Sequence, residues 1–345
     1  MSFFRQGRRY GSPEALAIHA ENPPIDLHAD SFLWSSFAGY DLGKRHRPPL
    51  PGSAFMGHVD LPRLRDAGVG AVLFGLTAQP FLRGACERAS RQIDALDAHC
   101  LAYPERIVLA RDAGVVAAPG EDGPLAAFLT VEGAHILEGD LSNLERLAKR
   151  GVRIMGFAHF SANRACRPSM GFGCDDSLGL SRFGRRLLER CEDLGVIVDL
   201  AHVNRRGFMD ACAAATKPVI VSHTGVCGAY RHRRNIDDGQ LRAVADAGGV
   251  VGIIFAPVFL GGRDISAVVR HLRRVIDVAG EEHVAIGSDY DGMIVPVAGL
   301  KQVSMLPNLT DELLRRRWPT GLIARILHGN ALRVLREVLS GGNNA

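Results

Sequence analysis

The chain has 345 residues, of which 47% are apolar and 23% charged, with a formal net charge of +4. That length suits one large α/β barrel or two ordinary domains. The weak, dispersed charge excludes nucleic acid as a partner, and no run approaches the roughly 18 apolar residues that a membrane span needs. The first residues, MSFFRQGRRYGSPEALAIHAENPP, carry no apolar stretch of a secretory signal, and EVLSGGNNA at the other end does not suit a lipid anchor. Seven cysteines, an odd number without a CxxC pair, predict reduced thiols and a cytoplasmic protein, although Cys166 and Cys174 share one loop and could approach each other.

Residues 1–24 read as an N-terminal extension. Short apolar runs bounded by Gly, Pro or Asp then recur: Ile25–Leu27, Val69–Leu76, Ala126–Val131, Val152–Phe157, Val196–Leu200, Val219–Val221, Val250–Phe255 and Val284–Ile286. These are eight candidate strands of the kind buried on both faces. Helical patterns fall between them: Leu61–Ala67 after Asp60, Ala85–Leu101, Ser142–Arg150, Ser181–Leu194, Arg205–Ala215, Asp238–Ala247 and Ile265–Ala279. Ser142 and Glu145 have the spacing of a capping box. Asp311–Arg317 and a long amphipathic helix, Gly321–Leu339, follow the last strand, so that 320–345 form a closing helix and tail. Eight strand–helix alternations predict a single-domain, TIM-type (β/α)8 barrel over residues 1–345. A doubly wound sheet is the rival, but DLHAD after the first strand lacks its glycine fingerprint. The Pro- and Gly-containing stretch Gly39–His58 is expected to lie over the barrel mouth.

The chemistry-bearing residues sit at strand ends. His28 and Asp30 follow the first run, Glu132 the third, His159 the fourth, His202 the fifth, His223 the sixth and Asp289 the eighth. In a barrel these ends share one mouth, where active sites lie. Imidazole and carboxylate suit Zn²⁺ and similar ions. His28 and Asp30, two residues apart, can grip one ion. His202 and His223 can hold a second, and the two oxygens of Glu132 can bridge both. Positions then remain open for an activated water. Asp291 competes with Asp289, which is preferred because it directly follows the strand. His58, His99, His135, His232, His271, His283 and His328 lack the strand-end setting and read as structural or surface residues. GxSxG is absent and no cysteine has an evident activating partner, so a metal-activated water is the better nucleophile.

In order and spacing, DLHAD, VEGAH, VDLAHV, VSHTG with RHRRNIDD downstream, GSDYDG and HGNALRV resemble the membrane (renal) dipeptidase family of zinc peptidases, from about Ile25 to Leu335. The resemblance implies two Zn²⁺ per subunit, one on His28 and Asp30, the other on His202 and His223, with Glu132 between them. It implies Asp289 as the catalytic aspartate, His159 as a substrate-binding histidine that helps stabilise the oxyanion, and Arg234 as the partner of the substrate's carboxylate. It also implies a homodimer. The expected reaction is hydrolysis of small dipeptides, including ones with a C-terminal D-residue, by a water held between the ions.

Departures from the family pattern cluster around the substrate. They are Thr224-Gly225 after His223, Phe157-Ala158 before His159, no proline after Arg234-Asn235, and an apolar segment Phe255–Phe259 where a polar residue or tyrosine is expected. The loop Ser161–Asp176 is expected to line the same pocket. An N-acyl amino acid deacylase with the same metals is the alternative. A silent binding relative is a third reading, and it predicts lost ligands, whereas all five and Asp289 are present.

Overall fold

The computed structural model of the chain describes residues 10–46, 53–116 and 123–339. Nine parallel strands occur among the described residues: β1 (Ile25–Ala29), β2 (Ala71–Leu76), β3 (Ile107–Leu109), β4 (Leu125–Val131), β5 (Val152–Gly156), β6 (Ile197–Asp199), β7 (Ile220–Thr224), β8 (Val250–Ile253) and β9 (Val284–Ile286). Eight of them close a ring in which β2 pairs with both β1 and β4, β4 to β9 follow in order, and β9 returns to β1. This is the (β/α)8 barrel that the alternation predicts. The strands are short and almost wholly buried because helices cover the outside and side chains fill the inside.

The pattern of apolar runs does not reveal β3. It pairs with Leu125–Ala127 at the start of β4, before β4 meets β5 at Leu129. Three residues suffice because only one end of β4 is free to take an extra neighbour.

The lower layer of the barrel interior contains Ile25, Leu27, Leu73, Phe128, Ile154, Ile197, Ile220 and Val250. Leu332, Leu335 and Val338 of the helix Asn330–Leu339 pack into the same cluster, so this helix plugs the N-terminal end of the barrel. The expected continuous helix Gly321–Leu339 is instead two α-helical pieces joined by a wide π turn, Arg325–Gly329. There His328 Nδ1 lies 2.7 Å from the Pro23 carbonyl oxygen, and Asn330 donates to the carbonyls of Glu281 and Val284. The capping box expected at Ser142 and Glu145 does not form. Asp140 accepts from the Ser142 N–H and takes over the turn, so Leu141 occupies the cap position. The true capping box is Asp237 with Gln240.

The N-terminal extension holds a docked helix, Pro13–Glu21, capped by Ser12 and started by a proline. Ser12 bonds both oxygens of Asp311, and His19 lies 2.7 Å from the Ala67 carbonyl and 2.8 Å from Thr310 Oγ1. A second helix, Ser31–Ala38, directly follows Asp30. Of the stretch Gly39–His58, residues 47–52 lie outside the described residues, while the turn Ser53–Phe55 brings Phe55 to the cavity at the barrel mouth. All seven cysteines are free thiols.

Burial pulls the His19 imidazole down to about 4. Its folded pKa lies below the unfolded value, so the neutral ring stabilises the fold above pH 6.5. That contribution is lost as pH falls from 6.5 to about 4, and amounts to about 3 kcal/mol. In His19→Asn, which does not titrate, the stability deficit relative to wild type should shrink by about 3 kcal/mol between neutral and acidic pH in denaturant titrations. A constant deficit would show that His19 is not buried in its neutral form.

Candidate metal centre

The C-terminal strand ends bring His28, Asp30, Glu132, His159, His202, His223 and Asp289 into one cluster, with Arg234 against it. His28 Nε2 lies 3.4 Å from Asp30 Oδ2, 3.6 Å from Glu132 Oε1 and 4.0 Å from Asp289 Oδ1. Glu132 Oε1 also lies 3.3 Å from His202 Nε2 and 3.8 Å from His223 Nε2, while its Oε2 is 3.5 Å from His159 Nε2. The two imidazoles His202 and His223 meet Nε2 to Nε2 at 2.8 Å. Glu132 thus touches members of both groups that the spacing separates, and the His28 and His223 ring centroids themselves lie 4.0 Å apart.

Neighbouring strands aim these side chains through two matching latches. Asp26 in β1 accepts from the Ser288 N–H and hydroxyl, which fixes the residue before Asp289. Asp199 in β6 accepts from the Ser222 N–H and, at 2.6 Å, from its hydroxyl, while Ser222 Oγ lies 2.9 Å from His223 Nδ1. This leaves His223 Nε2 to point into the cluster. Burial pushes the Asp26 carboxyl above its usual range, against the pull of its Ser288 and His28 bonds. His202 and Asp289 both adopt left-handed backbone, φ 66° and 61°. Such conformations cost of order 1–3 kcal/mol each outside glycine and are held by surrounding bonds. Here the Ser169 N–H bonds the His202 carbonyl at 2.7 Å, and the Asp289 N–H bonds the His28 carbonyl at 3.1 Å.

Space is provided by glycine. A Cβ on Gly75 in β2 would lie 2.2 Å from Asp30 Oδ1, and one on Gly292 would lie 2.2 Å from Asp289 Oδ1. Sequence reasoning missed Asp26, Asp199, Ser222, Ser288 and both glycines. The available signal was the pair of aspartates inside otherwise apolar strands, since a buried carboxylate needs a partner.

The electrostatics are those of a site built for a cation. Burial pushes Asp289 up to about 8, with Asp30 adding to it, and pushes Glu132 well above the usual carboxylate range. Burial alone would lower His28, but Asp30, then Glu132 and Asp289, raise it to about 10. Burial takes His159 down to about 3 and His202 and His223 well below the usual imidazole range. Both ring nitrogens of His28, Asp30 Oδ1 and Glu132 Oε2 are buried without a hydrogen-bond partner. Such atoms are costly unless a ligand satisfies them. Three overlapping groups could each hold an ion: His28, Glu132 and His223; Glu132, His159 and His202; and His28, Asp30 and Asp289. The residues therefore fit divalent metal, and His159 and Asp289 fall in these groups together with the five expected ligands.

Arg234 is buried, whereas Arg231 and Arg233 of the same run are exposed and Arg233 pairs with Asp176. Its Nε donates to His202 Nδ1 at 3.2 Å and its Nη2 to the His223 carbonyl at 2.8 Å. Asp291 is structural: its carboxylate takes the Ser31 hydroxyl and the His58 N–H. Each of the seven excluded histidines has a ring nitrogen bonded to main chain; for His135 the partner is the Ala78 carbonyl. The loop Ser161–Asp176 does not line the cavity among the described residues, and supports the His202 turn instead. Above the cluster opens a cavity of about 1010 Å³, whose floor includes Asp30, Glu132, His159, His202, His223, Arg234 and Asp289.

A closed parallel barrel carrying imidazoles and carboxylates at its catalytic mouth defines a metal-dependent hydrolase. A model of the membrane dipeptidase family, peptidase family M19, matches residues 13–344. Dipeptidase tcpJ of Claviceps purpurea (strain 20.1) is 32% identical over 303 residues, which cover 84% of this chain and 71% of that protein. A metallopeptidase from Rhodobacter sphaeroides, solved with a phosphinate mimic of the dipeptide L-Ala-D-Ala, is 26% identical with a TM-score of 0.78, over 92% of this chain and 99% of that one. The probable dipeptidase PvdM from Pseudomonas aeruginosa shares the fold, with a TM-score of 0.84 at 21% identity over 96% and 100% of the two chains. The chain belongs to the membrane dipeptidase family and is a metallodipeptidase. Among the described residues, no helix is long and apolar enough to cross a membrane.

Ser222→Ala should weaken metal binding about ten- to a hundredfold in chelator competition, because His223 loses its orienting partner. Gly75→Ala should lower metal affinity by at least about tenfold through displacement of Asp30. Unchanged affinity in either variant would remove that residue from the account.

Proposed function

We propose that the protein hydrolyses small dipeptides, including those with a C-terminal D-residue, with two Zn²⁺ held at the barrel mouth. His28 and Asp30 would hold one ion, His202 and His223 the other, and Glu132 would touch both. The observation that carries this reading is the position of Glu132, whose Oε1 lies within 4 Å of the Nε2 atoms of His28, His202 and His223 alike. Metal bound there would supply Lewis acidity, lowering the pKa of water and polarising the amide carbonyl.

The chain's own groups do the rest. Asp289, beside His28, accepts a proton from the attacking water and passes it to the leaving nitrogen. His159, kept neutral by burial, presents an N–H to the oxyanion that develops on the carbonyl. Arg234 lines the cavity and offers the N–H groups not used by His202, Thr224 and the His223 carbonyl to the substrate's terminal carboxylate. The Rhodobacter sphaeroides relative, with its dipeptide mimic, supports this substrate class. The seven cysteines, with no CxxC pair, support a cytoplasmic setting, and the family resemblance supports a homodimer.

Zinc-loaded protein should release free amino acids from a panel of dipeptides with L- and D-residues at the C-terminus. Asp289→Asn should keep its metal but lose about 10²–10⁴-fold in kcat, measured by steady-state kinetics beside metal analysis. A metal-loaded protein that cleaves no dipeptide, or an Asp289→Asn variant with full activity, would overturn the reading.

A further inference from the structure

The wall of the cavity differs in kind from its floor. Among the described residues, eleven large apolar side chains are exposed, and six of them line this one cavity: Phe55, Phe160, Tyr230, Val258, Met293 and Val295. Val258 is 60% exposed and Met293 65%. Isolated exposed apolar residues are ordinary, but a concave concentration of them marks a binding surface. Two segments build most of the wall. One is Ile254–Phe259 after β8, where the sequence is apolar instead of polar, and the other is Met293–Val295 after β9. Asn235 ties the first of them to Tyr230, donating to the carbonyls of Tyr230 and Phe259.

Charge on the wall has one sign. The carboxylates that line the cavity are Asp30, Glu132 and Asp289, all on the floor within the metal cluster, whereas the wall carries Arg263 and Lys301. A free α-ammonium against that wall would meet apolar surface and two cations. The volume of about 1010 Å³ lies at the top of the range for pockets that hold drug-sized ligands, far beyond what two methyl side chains fill.

We infer that this wall takes a large apolar acyl group and needs no free amino terminus, so that N-acyl amino acids with a medium-length aliphatic chain are substrates beside dipeptides. The inference rests on the proposed amide hydrolysis at the same floor. The reaction balances with water alone. A C–O bond forms at the acyl carbon and the C–N bond breaks. The proton passes to the leaving nitrogen, giving a fatty acid carboxylate and a free amino acid. The chain lies along Val258, Phe259 and Met293, and the amino acid's carboxylate faces Arg234.

The test compares N-octanoyl-alanine, N-acetyl-alanine and alanyl-alanine, each with L- and D-alanine at the C-terminus, on zinc-loaded protein. Each methylene buried on the wall is worth about fourfold in kcat/KM (about 0.8 kcal/mol). Octanoyl substrate should therefore exceed acetyl substrate by at least about fiftyfold if three of its extra methylenes are buried. Val258→Asp and Met293→Asp, at exposed positions where an acidic residue leaves the core untouched, should each lower that ratio by about tenfold or more. Cleavage of alanyl-alanine without cleavage of N-octanoyl-alanine, or an octanoyl-to-acetyl ratio near one, would overturn this inference and leave the dipeptidase reading standing. Cleavage of none of the three would overturn both.

Discussion

Three carboxylates, Asp30, Glu132 and Asp289, are buried together at the mouth of an apolar barrel. Water cannot screen them there, so the fold must supply positive charge or leave them protonated. His28, in their midst, is the nearest protein group able to answer, and they hold its imidazole strongly basic. A divalent ion answers the same demand more completely, because it also satisfies the unpartnered atoms of His28, Asp30 and Glu132. The rest of the site serves that demand. Asp26 and Asp199 grip the serines next to Asp289 and His223, left-handed turns carry His202 and Asp289, and Gly75 and Gly292 keep their Cβ positions empty for the carboxylates.

Much of this was legible in the sequence because ligand chemistry is concentrated in few residue types and a barrel gathers its strand ends. His28, Asp30, Glu132, His202 and His223 follow apolar runs, and the fold brings them within a few ångströms. What stayed hidden had other causes. The helix Ser31–Ala38 reads SFLWSSFA, too short to show a helical period. Strand β3 is three residues long and depends on one end of β4. The capping box at Ser142 had the right letters, but Asp140 competed for the turn. Gly75 and the serine latches act across strands, so their importance appears only with the barrel register.

Arg234 shows how far a motif can carry a role. The run Arg231–Arg234 is uniformly basic in sequence, yet only its last member turns inward, where it bonds the far side of His202 and the main chain at His223. Its guanidinium thereby joins the substrate's side of the cavity to the proposed metal ligands. In the proposed reading, one side chain meets both the substrate's carboxylate and the groups that would hold metal. The cavity continues this division: charged and polar groups lie on the floor where bonds are to be made and broken, while the wall is apolar and cationic.

Anomalous diffraction from crystals of the zinc-loaded protein would locate the ions. Two zinc peaks per chain are expected, one beside His28 and Asp30 and the other beside His202 and His223, with Glu132 touching both. A single peak, or a pair held by His159 or Asp289 in place of Glu132, would contradict this arrangement.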